Sequence, residues 1–260
     1  MAGVPKAKIT DVGARFDRLI GDFTETLDMN DFAFRRLEAE LQEFLAMPEF
    51  EAEARIYLGH LYSFKLDEPG FRHNFERSRK LSGKTDNWRI SFISAALNFG
   101  FLYEAKAEID APWDFSDISN VRNVRGMMIS CGLFESAAIL TRTLERMKVD
   151  ARHTNQVSKE YLYDEIFYAD EVIKQANVSE LFVLESINIA SKVIVERVNK
   201  PLHRYALSVS PDAGIQYSFT VNDSAEILVE HDWAIAEALV DTLEDPKSNV
   251  LSLITRPLRD

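Results

Sequence analysis

The segments Gly100-Phe101-Leu102-Tyr103-Glu104-Ala105 and Gly132-Leu133-Phe134-Glu135-Ser136-Ala137 share the pattern Gly-x-[Leu/Phe]-x-x-Ala, one helix-pair repeat apart. Leu58-Gly59-His60-Leu61-Tyr62 lies upstream of both. Self-similarity at a period of this size marks stacked helix pairs, in which each unit hides its apolar face only against its neighbours. Gly83, Gly100 and Gly132 fall at or near the expected turns, where a residue tolerating positive φ closes a helix at low cost.

Apolar spacing of three and four predicts the helices around these turns. Ile9, Val12, Phe16, Leu19, Phe23 and Leu27 stripe the first. Phe34, Leu37, Leu41 and Phe44 stripe a second, with Asn30 or Asp31 as its cap and Pro48 as its end. Residues 49–65 make a third, and Pro69-Gly70 breaks the chain before a short return helix striped by Phe71, Phe75 and Leu81. Pairs follow at 85–101 with 102–109 and at 117–131 with 133–147, then two longer helices at 156–175 and 179–198. About ten helices on short connections describe an antiparallel α-hairpin stack.

The pattern changes at Asn199-Lys200-Pro201. Tyr205, Leu207 and Val209 alternate with Ala206 and Ser208; Pro211-Asp212-Ala213-Gly214 turns the chain; Ile215, Tyr217, Phe219 and Val221 alternate with Gln216, Ser218 and Thr220. This is a β-hairpin. Residues 225–230 suit either a third strand or a helix start, Trp233, Ala236, Leu239, Val240 and Leu243 favour a helix, and 249–255 reads as a last strand blunted by Pro257. The expected fold is mainly α. A tail at 1–8 precedes a helical-repeat domain at 9–198, and a small C-terminal α+β module built on the hairpin occupies 202–260.

The helical region resembles a tetratricopeptide-repeat array. Leu58, Gly59 and Tyr62 match the family's first-helix Leu-Gly-x-x-Tyr, in which a small residue sits at the point of closest approach. Gly100, Leu102 and Ala105, then Gly132, Phe134 and Ala137, match the turn that opens the second helix, and Phe75 falls at a second-helix aromatic. The resemblance covers about residues 50–147 and extends toward 198. Ile93 and Arg125 stand where the family places a small residue. It implies a concave groove lined by first helices, holding a peptide or partner helix: here His60, Asn87, Ser91, Ser94, Asn98, Ser119, Arg122 and Ser130. The family's carboxylate clamp of Lys and Asn has no counterpart, so a C-terminal peptide is not implied.

Net charge is −12, which argues against broad attraction to nucleic acid and leaves room for a basic protein partner. Residues 72–84 hold the main basic cluster (Arg72, Arg77, Arg79, Lys80, Lys84), opposed locally by Glu76. Residues 160–171 are dense in acids and aromatics, and Tyr161, Asp164 and Tyr168 there suit protein docking. The five histidines form no helical metal spacing, Glu230-His231-Asp232 reads as a surface turn, and Cys131 as a small core residue. No phosphate-cradling loop or nucleophile elbow is present. The N-terminus has no apolar signal region and no apolar run reaches a membrane span, so a cytoplasmic protein without a metal, cofactor or membrane partner is expected. The leading function is a non-enzymatic interaction module, an adaptor, chaperone-like or regulatory protein, with homodimerisation through the C-terminal module open to it. The alternatives are an acidic inhibitor of immunity type covering a basic toxin or nucleic-acid enzyme, and a ligand sensor or enzyme with a pocket between stack and module.

Overall fold

Eleven helices and three strands make up the described part of a computed structural model, which covers residues 5–147, 161–202, 204–210 and 214–258. The helices are α1 (Pro5–Thr26), α2 (Asp31–Phe44), α3 (Pro48–Phe64), α4 (Glu68–Ser82), α5 (Asp86–Asn98), α6 (Leu102–Ile109), α7 (Ile118–Ser130), α8 (Phe134–Arg146), α9 (Tyr161–Gln175), α10 (Glu180–Val198) and α11 (Ala225–Thr242). The strands are β1 (Tyr205–Ser210), β2 (Gly214–Val221) and β3 (Leu251–Pro257). The fold is thus mainly α, with a small C-terminal sheet that contains the hairpin. The first helix begins inside the segment expected as a tail.

Side-chain oxygens start five of the eleven described helices at their orphan N–H groups. Asn30 accepts from Ala33 N–H, Asp67 from Gly70, Thr85 from Trp88, Asp117 from Ser119 and Ser179 from Phe182. Two prolines expected to stop helices instead start them. Pro48 opens α3 and Pro69 lies in the first turn of α4, where a missing N–H costs nothing.

The pairs α3–α4, α5–α6 and α7–α8 pack as neighbours, and α3 touches α5, which touches α7. At Gly59 a Cβ would lie 2.6 Å from Phe75 Cδ2, so the α3–α4 crossing is closed by an aromatic ring resting on a bare backbone. Phe71, Phe75, Trp88, Phe92 and Phe99 continue this core into α5 through ring contacts about 5 Å apart.

The chain then turns across its own stack. Helix α10 packs on α6, α11 and β3, whereas α9 packs on α8 and on β1 and β2. Gly132 (φ +73°) lies under Val183 and Ile187 of α10, and Gly100 (φ +72°) lies under Ser191. Ser191 follows Ile187 by one helical turn, so α10 passes over both repeated turns. The glycines do two things: they adopt the left-handed conformation that ends α5 and α7, and they leave room for α10.

The sheet order is β1-β2-β3, with β1 antiparallel and β3 parallel to the central β2. Tyr205 faces Phe219, Leu207 faces Tyr217 and Val209 faces Ile215, so the alternating residues share a face. β3 supplies Leu251, Leu253 and Thr255 to that same face. The segment 225–230 is helix, and α11 is the crossover joining the parallel strands β2 and β3, as a parallel pair requires. One buried apolar cluster runs from Ile93 through α6 to α10 and into Tyr217, Phe219 and Leu253.

Candidate protein-docking surface

The polar residues expected to line a groove divide into an open end and a sealed end. Asn87 is exposed, and Ser91 and Ser94 are half-buried on α5. Asn98, in the same stripe, is only 1% exposed. Its Nδ2 donates to Ser63 Oγ at 2.8 Å, and its carbonyl accepts from Leu202 N–H at 3.0 Å. On α7, Ser119 is exposed in the first turn and Arg122 is half-buried. Ser130, 4% exposed, donates to Gly126 O, accepts the Tyr205 hydroxyl and offers its carbonyl to the Tyr217 hydroxyl at 2.9 Å. Asn98 and Ser130 are therefore correctives to a groove that runs the length of the stack. The sheet and the segment after α10 sit on that end, and both side chains serve internal bonds. His60 is half-buried between the rings of Phe16 and Phe64.

The cavity at the junction of stack and sheet is lined by Leu97, Leu102, Ser130, Ser191, Tyr205 and Tyr217 and measures about 20 Å³. Small-molecule sites occupy roughly 300–1,000 Å³. Burial pushes the hydroxyls of Tyr205 and Tyr217 upward in pKa, so both remain neutral donors there.

On α9, Asp164 and Tyr168 are exposed, while the side chain of Tyr161 lies outside the described residues, as do Glu160, His153 and His203. The same helix sends Ile166, Ala169 and Ile173 into the core. Asp170 is also buried, with Lys174 Nζ at 2.7 Å from its carboxylate. The basic cluster of α4 and the turn after it is answered by acids one turn away on the same helix and by others distant in sequence. Arg72 reaches Glu68 and Glu104, Arg77 reaches Glu51, Lys80 reaches Glu76 and Lys84 reaches Glu108.

Glu230-His231-Asp232 is not a surface turn but part of α11. His231 is buried; its Nδ1 accepts from Arg197 Nε at 3.0 Å, leaving Nε2 to donate to Asp223 Oδ2 at 3.0 Å. Asp232 accepts from both the backbone N–H and the hydroxyl of Thr255, at 2.6 and 2.8 Å. These bonds staple α11 to α10 and β3. Among the described residues, no group of three or more His, Cys, Asp or Glu could hold a metal. No described helix is long and apolar enough to cross a membrane. Cys131 is fully buried, and burial pushes its thiol up to about 12.

The open surface that stands out is the outer face of α11. Leu228, His231 and Ile235 pack inward. Val229, Trp233, Ala236 and Val240 follow one another at steps of four, three and four, which keeps them on one stripe of a helix. That stripe points to solvent: Trp233 is 73% exposed, Val240 67% and Val229 55%. Val229, Asp232, Trp233 and Ala236 border an open depression of about 280 Å³. Sequence periodicity identified the helix but could not say which of its apolar faces is covered. The available signal was that α11 is apolar on two sides, one more than docking on a single layer requires.

Comparison with protein-family models, with curated proteins and with solved structures finds no match for this chain, so the geometry of these surfaces carries the functional reading.

Proposed function

We propose that this chain is a protein-interaction module, an adaptor or regulatory protein, built as a tetratricopeptide-like helical stack that presents a partner surface on the outer face of α11. The observation that carries the reading is Trp233, 73% exposed between Val229 and Val240 on a helix whose opposite face is firmly packed. Contiguous apolar surface on a well-anchored element marks interaction sites, and tryptophan is among the residues that most often anchor them. The sealing of Asn98 and Ser130 moves the working surface away from the full groove read from the resemblance. The filled junction between stack and sheet argues against a metabolite pocket there.

The test is quantitative capture from lysate of the native host on immobilised protein. Wild type is compared with a Trp233→Ser/Val240→Ser variant and with an Asn87→Ala/Ser91→Ala/Ser94→Ala variant. A stoichiometric partner lost only with the α11 pair supports the reading. Loss only with the polar triple returns the site to the α5 face. No partner in any sample overturns the interaction reading.

A further inference from the structure

The stripe on α11 is bordered by charge of one sign. Glu226, Glu230, Glu237 and Asp241 fall along one flank of Val229, Trp233, Ala236 and Val240, and all four are exposed. Helix α11 contains no Lys or Arg. Among the described residues, the basic group that reaches the rail is Arg197 of α10, whose Nη2 lies 3.6 Å from Glu230. Glu226 accepts from the Ser224 side chain and its own backbone N–H, contacts within the first turn that leave its negative charge in place beside the exposed Glu237 and Asp241. On the other flank Asp232 spends its Oδ1 on Thr255. An apolar strip with an acidic rail on one side has a specific complement.

Resting on the interaction reading above, we infer that the outer face of α11 docks a basic amphipathic helix of a protein partner. The partner lays its apolar stripe along Val229 to Val240 and its Lys or Arg flank against the acidic rail. From Val229 to Val240 is eleven steps along the helix, about 16.5 Å at 1.5 Å per residue, so a partner segment of three to four turns covers the strip. The 280 Å³ depression beside Trp233 is the place for one large aliphatic or aromatic anchor. A second copy of this chain is a poor complement. A two-fold antiparallel pairing of α11 with its copy sets the two acidic rails side by side, and each chain brings a net charge of −12. An anionic membrane surface is disfavoured by the same charge.

The experiment uses the full chain and a synthetic 18-residue helical peptide with Leu at positions spaced four, three and four and Lys along one flank. Its matched control carries Glu for every Lys, and a second control scrambles the order at constant composition. Binding is followed by calorimetry and by the change in tryptophan emission, of which Trp233 is the exposed contributor beside Trp88 and Trp113. Expected results are micromolar binding of the Lys peptide and none of the Glu peptide. At least tenfold weaker binding is expected on Trp233→Ser. Preference should reverse on Glu226→Lys/Glu237→Lys/Asp241→Lys, with the melting temperature of each variant confirming the fold. Equal binding of the Lys and scrambled peptides, or of wild type and Trp233→Ser, would show non-specific charge attraction and overturn the inference. Sedimentation velocity completes the test: self-association abolished by Trp233→Ser, with no peptide bound, would assign the face to a second copy instead. If the peptide fails while a host partner is still lost with Trp233→Ser/Val240→Ser, the interaction reading stands and only the basic amphipathic partner falls.

Discussion

Replacing Gly132 by alanine tests whether α10 is seated on the repeated turns. Two costs act together. Gly132 has φ +73°, where an L side chain pays about 1–2 kcal/mol. The added Cβ would also lie 2.6 Å from Ile187 Cδ1 and 2.7 Å from Val183 Cγ1, an overpacking that typically costs about 1–3 kcal/mol. The expected loss is about 2–5 kcal/mol, read as a lower urea midpoint at unchanged slope. Gly21→Ala and Gly126→Ala are the references: both lie inside helices, an added Cβ would meet nothing within 4 Å, and each should gain about 0.5–1 kcal/mol. The decisive arm is a cycle with Ile187→Val, which removes the clashing Cδ1. Alone it should cost about 0.5–1.5 kcal/mol. In the Gly132→Ala background it should cost less than it does alone, giving a favourable coupling of about 0.5–3 kcal/mol. The rescue is partial because the Val183 methyl remains. Strict additivity of the two changes would refute the seating of α10 on this turn, whatever the size of the single effects.

Three further outcomes follow from buried and half-buried polar groups. Arg89 is buried over the ring of Trp113 at 3.7 Å and donates to the carbonyl of Glu108 in the last turn of α6 and to those of Ala111 and Pro112 just beyond it. Arg89→Met should therefore cost about 2–4 kcal/mol by stranding these acceptors, and a midpoint shift worth under about 0.5 kcal/mol would contradict the cap. Cys131, held near 12 by burial, should resist a disulfide-exchange reagent at pH 8 in the native state and react at once in guanidinium; rapid labelling of folded protein would refute its placement. Burial alone raises the Glu165 carboxyl, so its charge is a penalty present above its folded pKa and absent below its unfolded one. Glu165→Gln should raise the melting temperature at pH 7 and leave it unchanged near pH 3.5, and an equal effect at both values would refute the assignment.

The parts of this fold that could be read from sequence are those fixed by local rules. Gly100 and Gly132 announced their turns because positive φ is a property of one residue, and the 205–221 hairpin announced itself by alternation around 211–214. What sequence could not supply was the partner of each face. The stripe Asn87, Ser91, Ser94, Asn98 is uniform in chemistry, yet its first residue faces water and its last donates to Ser63 beneath the chain that follows α10. The difference is made by Ser63 on α3 and by Leu202, about a hundred positions downstream. The same ignorance worked in reverse on α11, where Trp233, Ala236 and Val240 look like core in a helical wheel and are open in space. Repetition explains both cases. In a regular stack each unit's neighbours are implied by the repeat, so burial can be extrapolated. Helix α10 ends the repeat by passing over the turns, and from there the neighbours are set by a single long-range crossing. The surface proposed for a partner therefore belongs to the irregular part of the molecule, where the sequence pattern stops predicting contacts. Grafting the α11 stripe and rail onto an unrelated surface helix should transfer binding of the Lys peptide only if that helix also keeps its inward face packed. A grafted helix that binds while detached would show that the docking strip needs no anchoring by Asp232 and His231.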